Sequence, residues 1–248
     1  MKQLIRLDNE SLNINLTIAP ASEVTIIDTG YHPQIQLTVG ESAQVHYIGV
    51  WSGAGTSVKV ATLQTNASCD WRTALLGGEL KQEIVTEHLG VGSNSTHRGI
   101  FLGQQRDHLA MNYWNLHRGQ HTAGHIFVHG VLLDQAYADF KGNIKIETIA
   151  TDTDASLTEE TILLGKRARS DSIPQLEIGT NAVRATHSSA ITKIDDEQLF
   201  YLASRGLPAN LAKYMIVRGF LEGVINDFND PTIREQLFTS IEQRLHSL

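Results

Sequence analysis

The chain of 248 residues carries one cysteine, Cys69. That excludes an internal disulfide, and any zinc or cluster site built from several cysteines of one chain. No Cys-His signature adjoins Cys69, so it reads as a small buried hydrophobe. Long apolar stretches are also missing: nothing approaches the roughly 18 residues of a spanning helix. The opening MKQLIRLDNESLNINL has acidic and amide residues where a signal peptide needs an apolar stretch. The expectation is a cytoplasmic chain with no membrane insertion. Positive charge is scarce, with 20 Lys and Arg against 27 Asp and Glu. That argues against non-specific nucleic-acid binding, which rests on cations neutralising phosphates. The small basic cluster Lys166–Arg167–Ala168–Arg169 reads as a solvated loop. A phosphate-binding loop is absent, because Gly165–Lys166 lacks the earlier glycine of that motif. Neither G-x-S-x-G nor H-E-x-x-H occurs.

What is present is mostly strand. Apolar residues make up 41% of the chain, enough for a core. The segments 12–18, 23–28, 34–39, 44–50, 126–133 and 143–149 read as short strands split by Gly, Asn and Asp. Ile35, Leu37 and Val39 alternate with Gln34, Gln36 and Thr38, a period of two. A looser repeat overlies this pattern: LLGGE at Leu75, FLGQQ at Phe101, LLDQA at Leu132 and LLGKR at Leu163, separated by 26, 31 and 31 residues. Such a unit fits one coil of a parallel β-helix, which buries its inward side chains only by stacking on its neighbours. A β-sandwich competes on periodicity alone.

The pattern changes near residue 194. Ile191 and Ile194 are β-branched and suit a strand end. Asp195 and Asp196 favour a helix start. Leu199, Phe200, Leu202 and Ala203 give the following helix an apolar side, Gly206 supplies its stop and Pro208 opens the next helix. Tyr214, Val217, Leu221, Val224 and Phe228 form one helical stripe. Asn229–Asp230–Pro231 breaks it. Ile233, Leu237, Ile241 and Leu245 then recur every fourth residue in a last helix. The boundaries expected are 1–194 for the β body and 195–248 for the helical domain.

Two sets of histidines invite a metal reading. His117, His121, His125 and His129 lie four apart and would share one face of a helix. Gly119, Gly124 and Gly130 oppose a helix there, and in a strand only His125 and His129 stay together. Scattered turn and strand histidines are the plainer reading. His187 stands among Thr186, Ser188 and Ser189, all short and polar. Its neutral imidazole is a competent iron ligand, although a structural role is plainer on composition alone.

The segment IDDEQLFYLASRG, Ile194 to Gly206, resembles the SufB/SufD family of iron–sulfur cluster assembly proteins almost throughout. LLGG (75–78), ILLGK (162–166) and PQLEI (174–178) also resemble that family. The resemblance implies a mainly β fold: a right-handed parallel β-helix followed by a small C-terminal α-helical domain. Family members usually carry a helical domain before the β-helix as well, and this chain begins almost at once with strands. In SufD-like members the matching strand reads K-C-S-H-G, and its His contributes to the place where iron or a nascent cluster is held. Here it reads Arg184, Ala185, Thr186, His187 and Ser188. The Cys of that strand is Ala185. The Glu that follows the His in SufB-type chains is Ser188, and no Cys follows Cys69.

The resemblance therefore implies a SufD-like, non-catalytic scaffold of the cytosolic SUF system. A transient iron–sulfur cluster or iron would sit at a subunit interface, with His187 as this chain's ligand. A SufB-like subunit or an identical chain would pair through the β-helix. A SufC-like ABC ATPase, bearing the ATPase activity, would dock on the helical tail, with Phe200, Tyr201, Arg205, Tyr214 and Arg218 as candidate contacts. Core packing explains the aromatic ones equally well. Two other readings remain: a β-helix enzyme acting on polysaccharide, with Asp134, Asp139 and Glu147 as carboxylates, and a structural homodimer without cluster chemistry.

Overall fold

Period-two strands that bury one face must find partners for that face, and here the partners are the strands one coil away. The computed structural model describes residues 2–7, 13–30, 32–194 and 196–245. Leu12 and Asp195, read as a strand start and a helix start, lie outside them. Among the described residues thirteen strands join in one sheet in two tracks. The first track holds β1 (Lys2–Leu7), β3 (Glu23–Asp28), the start of β5 (Gln44–Leu63), the start of β6 (Ser68–His88), β7 (Asn94–Gly103), β9 (Ala123–Leu132), β11 (Thr153–Leu163) and β13 (Val183–Lys193). The second holds β2 (Asn13–Ile18), β4 (Gln34–Val39), the later parts of β5 and β6, β8 (His108–His117), β10 (Tyr137–Ile146) and β12 (Arg169–Ile178).

Every pairing is parallel. The chain is a parallel β-solenoid, and the sandwich alternative falls away. Its coils lengthen along the chain, from 21 residues (Lys2 to Glu23) to 31 (Ala123 to Asp154). The apolar repeat marks these coils. Leu75 is in register with Phe101 and Leu132 with Leu163, while Phe101 faces Gly130, a slip of two that keeps the same face.

Two strands run longer than the sequence suggests. β5 and β6 turn from one track to the other without a break, through an irregularity between Trp51 and Gly53. Gly78 makes this possible. Its φ is +99°, and a Cβ there would lie 1.6 Å from the Gly53 carbonyl oxygen.

Between the tracks lies the main core, with Ile26, Tyr47, Trp71, Phe101, Tyr113 and Phe140 fully enclosed. A second core forms outside the first track. There Ile27, Ile48, Ile100, Val131 and Ile162 meet α2 (Ala209–Ile225) and α3 (Pro231–Leu245). Val217, Leu221, Val224 and Phe228 are buried as their stripe requires, and so are Ile233, Leu237, Ile241 and Leu245. Arg72 and Arg98 both hold Asp227, and Arg244 donates to the Leu76 carbonyl at 2.6 Å. Gly206, at φ +85°, ends α1 (Asp196–Ser204), and Pro208 caps α2. Among the described residues no helix is long and apolar enough to cross a membrane.

Candidate functional site

In a parallel ladder, residues in register point to the same side of the sheet. The column Ile26, Tyr47, Trp71, His97, Ile126, Leu157 therefore fixes the direction of the residue that ends it, which is His187. All the earlier members are buried. His187 is exposed because, among the described residues, β13 pairs only with β11 and no further coil covers it. Among the described residues it makes no hydrogen bond or ion pair. It stands at the mouth of the solenoid interior, on the inward face of the last described coil.

Other side chains share this mouth. Ser189 lies two residues on, on the same face of β13, and donates to Glu159 Oε2 at 2.9 Å. Glu159 belongs to β11, one coil below, and is completely buried; its other oxygen accepts from Thr161. From the second track, Ser170 and Ser172 carry enclosed hydroxyl oxygens with no partner among the described residues. By register they point inward, beside Ala138 and Phe140. Sequence reading missed Glu159 and Ser189. The signal was there: Glu159 precedes Ser189 by one coil length, and a period-two strand places Ser189 beside His187. Around the mouth, β12 and β13 each leave one edge unpaired among the described residues and expose Ile173, Ile178 and Ile191.

The interior below the mouth is unusually polar. His97 is hydrogen-bonded to Thr73 at 2.8 Å and packs on Tyr113. Burial, then the nearby Arg72, pushes its pKa down to about 3. His88 and His117 stack with ring centres 4.4 Å apart. His88 is bonded to Ser93 and Ser95, and His117 to Thr122 at 2.8 Å. Burial, then His125, brings His117 to about 4; burial, then its neighbour His117, holds His88 well below the ordinary range. Further down, Asp28 accepts from Tyr47 and is hydrogen-bonded to His32 at 2.7 Å. Lys59 Nζ lies 3.1 Å from Asp28, out of line for a good hydrogen bond, and 4.7 Å from the centre of the Trp51 ring. Burial lowers the Lys59 pKa, against the pull of Asp28.

The spaced histidines do not converge. His117 points inward, His121 sits exposed in a turn, and His125 and His129 face outward on β9, where His129 stacks on Phe220. Among the described residues no group of three or more His, Cys, Asp or Glu could hold a metal. Cys69 is buried and burial pushes its thiol up, so it offers no thiolate. The three carboxylates suggested for glycoside chemistry are spent locally: Asp134 on the Gln105 amide, Asp139 beside Lys141, Glu147 with Arg118. Of the helix residues, Phe200 is 76% exposed and Tyr201 57%, with Arg205 beside the Tyr201 ring. Tyr214 and Arg218 bond to each other on α2, and Tyr214 also packs against the second core. On the apolar side of α1, Phe200 and Ala203 face solvent, while Leu199 and Leu202 are half-buried.

Fold and site together define a class: a parallel β-solenoid with helices on one flank, an open last coil and an imidazole at its lip. The family model for the SUF system FeS cluster assembly SufBD core domain matches residues 13–220. The chain therefore belongs to the SufBD family. It is 29% identical over 216 residues to the iron–sulfur cluster assembly protein SufD of Bacillus subtilis (strain 168), covering 85% of this chain and 49% of that protein. Against SufD of Escherichia coli (strain K12) it is 30% identical over 185 residues, 74% of this chain and 44% of that one. A SufBD family protein of Mycobacterium tuberculosis is 29% identical over 228 residues, 87% and 57%. The chain spans about half the length of these relatives.

Proposed function

We propose that this chain is a SufD-like scaffold in iron–sulfur cluster assembly, presenting His187 to iron or a forming cluster at an interface with a second subunit. The observation that carries this reading is the position of His187. It ends a buried column, yet lies exposed at an uncapped coil flanked by two unpaired strand edges. Such edges are templates for another chain. Thiolates are the usual protein ligands of clusters, and the one cysteine here is sealed away. Any thiolate must come from the partner, a SufB-like subunit or an identical chain. Pairing would also cover Ile173, Ile178 and Ile191.

The exposed face of α1 is the docking place for a SufC-like ABC ATPase in this reading. Phe200 and Tyr201 are large, rigid and mostly in water, the character of interface anchors. Nucleotide-driven motion of that subunit would pass through the helices to the first track, which they grip through Asp227 and the second core.

The test is maturation of iron–sulfur enzymes in cells that depend on this chain. His187→Ala is expected to abolish maturation while leaving fold and partner binding intact. Phe200→Ala with Tyr201→Ala is expected to lose a co-expressed SufC-like subunit from pull-downs. Full maturation with His187→Ala would refute the iron-handling role and leave a structural one.

A further inference from the structure

The carboxylate of Glu159 is fully enclosed and, among the described residues, accepts hydrogen bonds only from the hydroxyls of Thr161 and Ser189. Among the described residues no Lys, Arg, His or backbone N–H reaches it. Two neutral hydroxyls do not offset the desolvation of a buried charge. A cation arriving at the mouth would. Ser189 links the two. Its proton is committed downward to Glu159 Oε2 at 2.9 Å, which leaves the oxygen lone pairs for the mouth. His187 lies on the same face of β13, two residues away.

We propose that Ser189 is a second donor, with His187, for a divalent cation, and that Glu159 is the positioning residue that orients and polarises the Ser189 hydroxyl. This rests on the reading of His187 given above. The donor chemistry fits: an imidazole and a carboxylate-backed hydroxyl on one face of β13 are donors without thiolate, and Ser170 and Ser172 carry unpartnered hydroxyls inward from the second track. Such a set suits Fe²⁺ or Mn²⁺ as an incoming ion and suits a sulfide-bridged cluster poorly.

The experiment is anaerobic Mn²⁺ titration of the full chain, followed by loss of the free-ion EPR signal, with Co²⁺ visible absorption reporting the ligand field. The unsubstituted chain is expected to bind one Mn²⁺ and His187→Ala to lose it. Ser189→Ala, which removes a donor, and Glu159→Gln, which disturbs the outer shell, are each expected to weaken binding about tenfold or more, and to change the Co²⁺ spectrum. Ser189→Thr, which keeps the hydroxyl, should restore both. Glu159→Gln is isosteric, and Ser189 lies on an open strand, so thermal melts close to the unsubstituted chain are expected. If His187→Ala abolishes binding while Ser189→Ala and Glu159→Gln match the unsubstituted chain, this inference is overturned and the role of His187 stands. If His187→Ala binds normally, or the chain alone shows no saturable site, this inference is overturned, and the role of His187 at a paired interface is decided by the maturation assay.

Discussion

Acid should unfold this solenoid through its buried histidines. His97 titrates near 3 and His117 near 4 in the folded chain, against about 6.5 when unfolded; His88 is likewise depressed. Below pH 6.5 the unfolded chain binds protons that the folded chain refuses. Stability is therefore fully present above that pH, and it falls as pH drops towards 4 for His117 and 3 for His97. Each group contributes about 1.36 kcal/mol per pH unit. At pH 5 that amounts to about 2 kcal/mol each for His97 and His117, about 4 kcal/mol together, with His88 acting in the same direction; this is a large share of the stability of many domains. Urea unfolding between pH 7 and pH 5 measures the slope above most carboxylate titration. His88 and His117 are stacked and titrate as a pair, so His97→Gln is the cleaner substitution. Glutamine can keep a bond to Thr73, and the slope should fall by about one proton. A pH dependence identical in the His97→Gln variant and the unsubstituted chain would refute the reasoning.

Two further substitutions test the fold. Gly78→Ala drives a methyl group into the Gly53 carbonyl and imposes a positive φ on alanine; thermal melts should show a loss of several kcal/mol, in the range of severe backbone strain (about 3 or more). Gly219→Ala, in the open on α2, should stabilise the chain by about 0.5–1 kcal/mol. Within the Asp28 cluster, Lys59→Met strands a buried carboxylate and Asp28→Asn a buried ammonium. Denaturant titration should show about 3–5 kcal/mol for each single change, and clearly less than their sum for the double variant.

Much of the fold was legible because its signals are local. Alternation at Ile35, Leu37 and Val39 gave strands, and the Leu75, Phe101, Leu132 and Leu163 marks gave coils of about the right length. Gly206, Pro208 and Pro231 punctuated the helices where they fall. The long reach of β5 and β6 was hidden, because Trp51 to Gly55 looks like a turn and becomes a bulge only when Gly78 lies beneath Gly53. The exposure of Phe200 was also hidden: periodicity names an apolar side and does not say what covers it. At the site, the family resemblance singled out His187 for a functional role, but its direction into the mouth comes only from register with Leu157. Glu159 and Ser189 meet across a ladder thirty residues apart in sequence, a relation no short motif displays.

The central claim is that the open coil at β13 is a subunit interface. Cys69 is buried and unreactive, so Ser188→Cys creates a single accessible thiol beside His187. A photo-crosslinker attached there, with a SufB-like subunit and a SufC-like ATPase co-expressed, should form a crosslink mapping to the last strands of the SufB-like subunit or of a second copy. A complex that assembles while position 188 stays uncrosslinked and fully open to solvent would contradict the account.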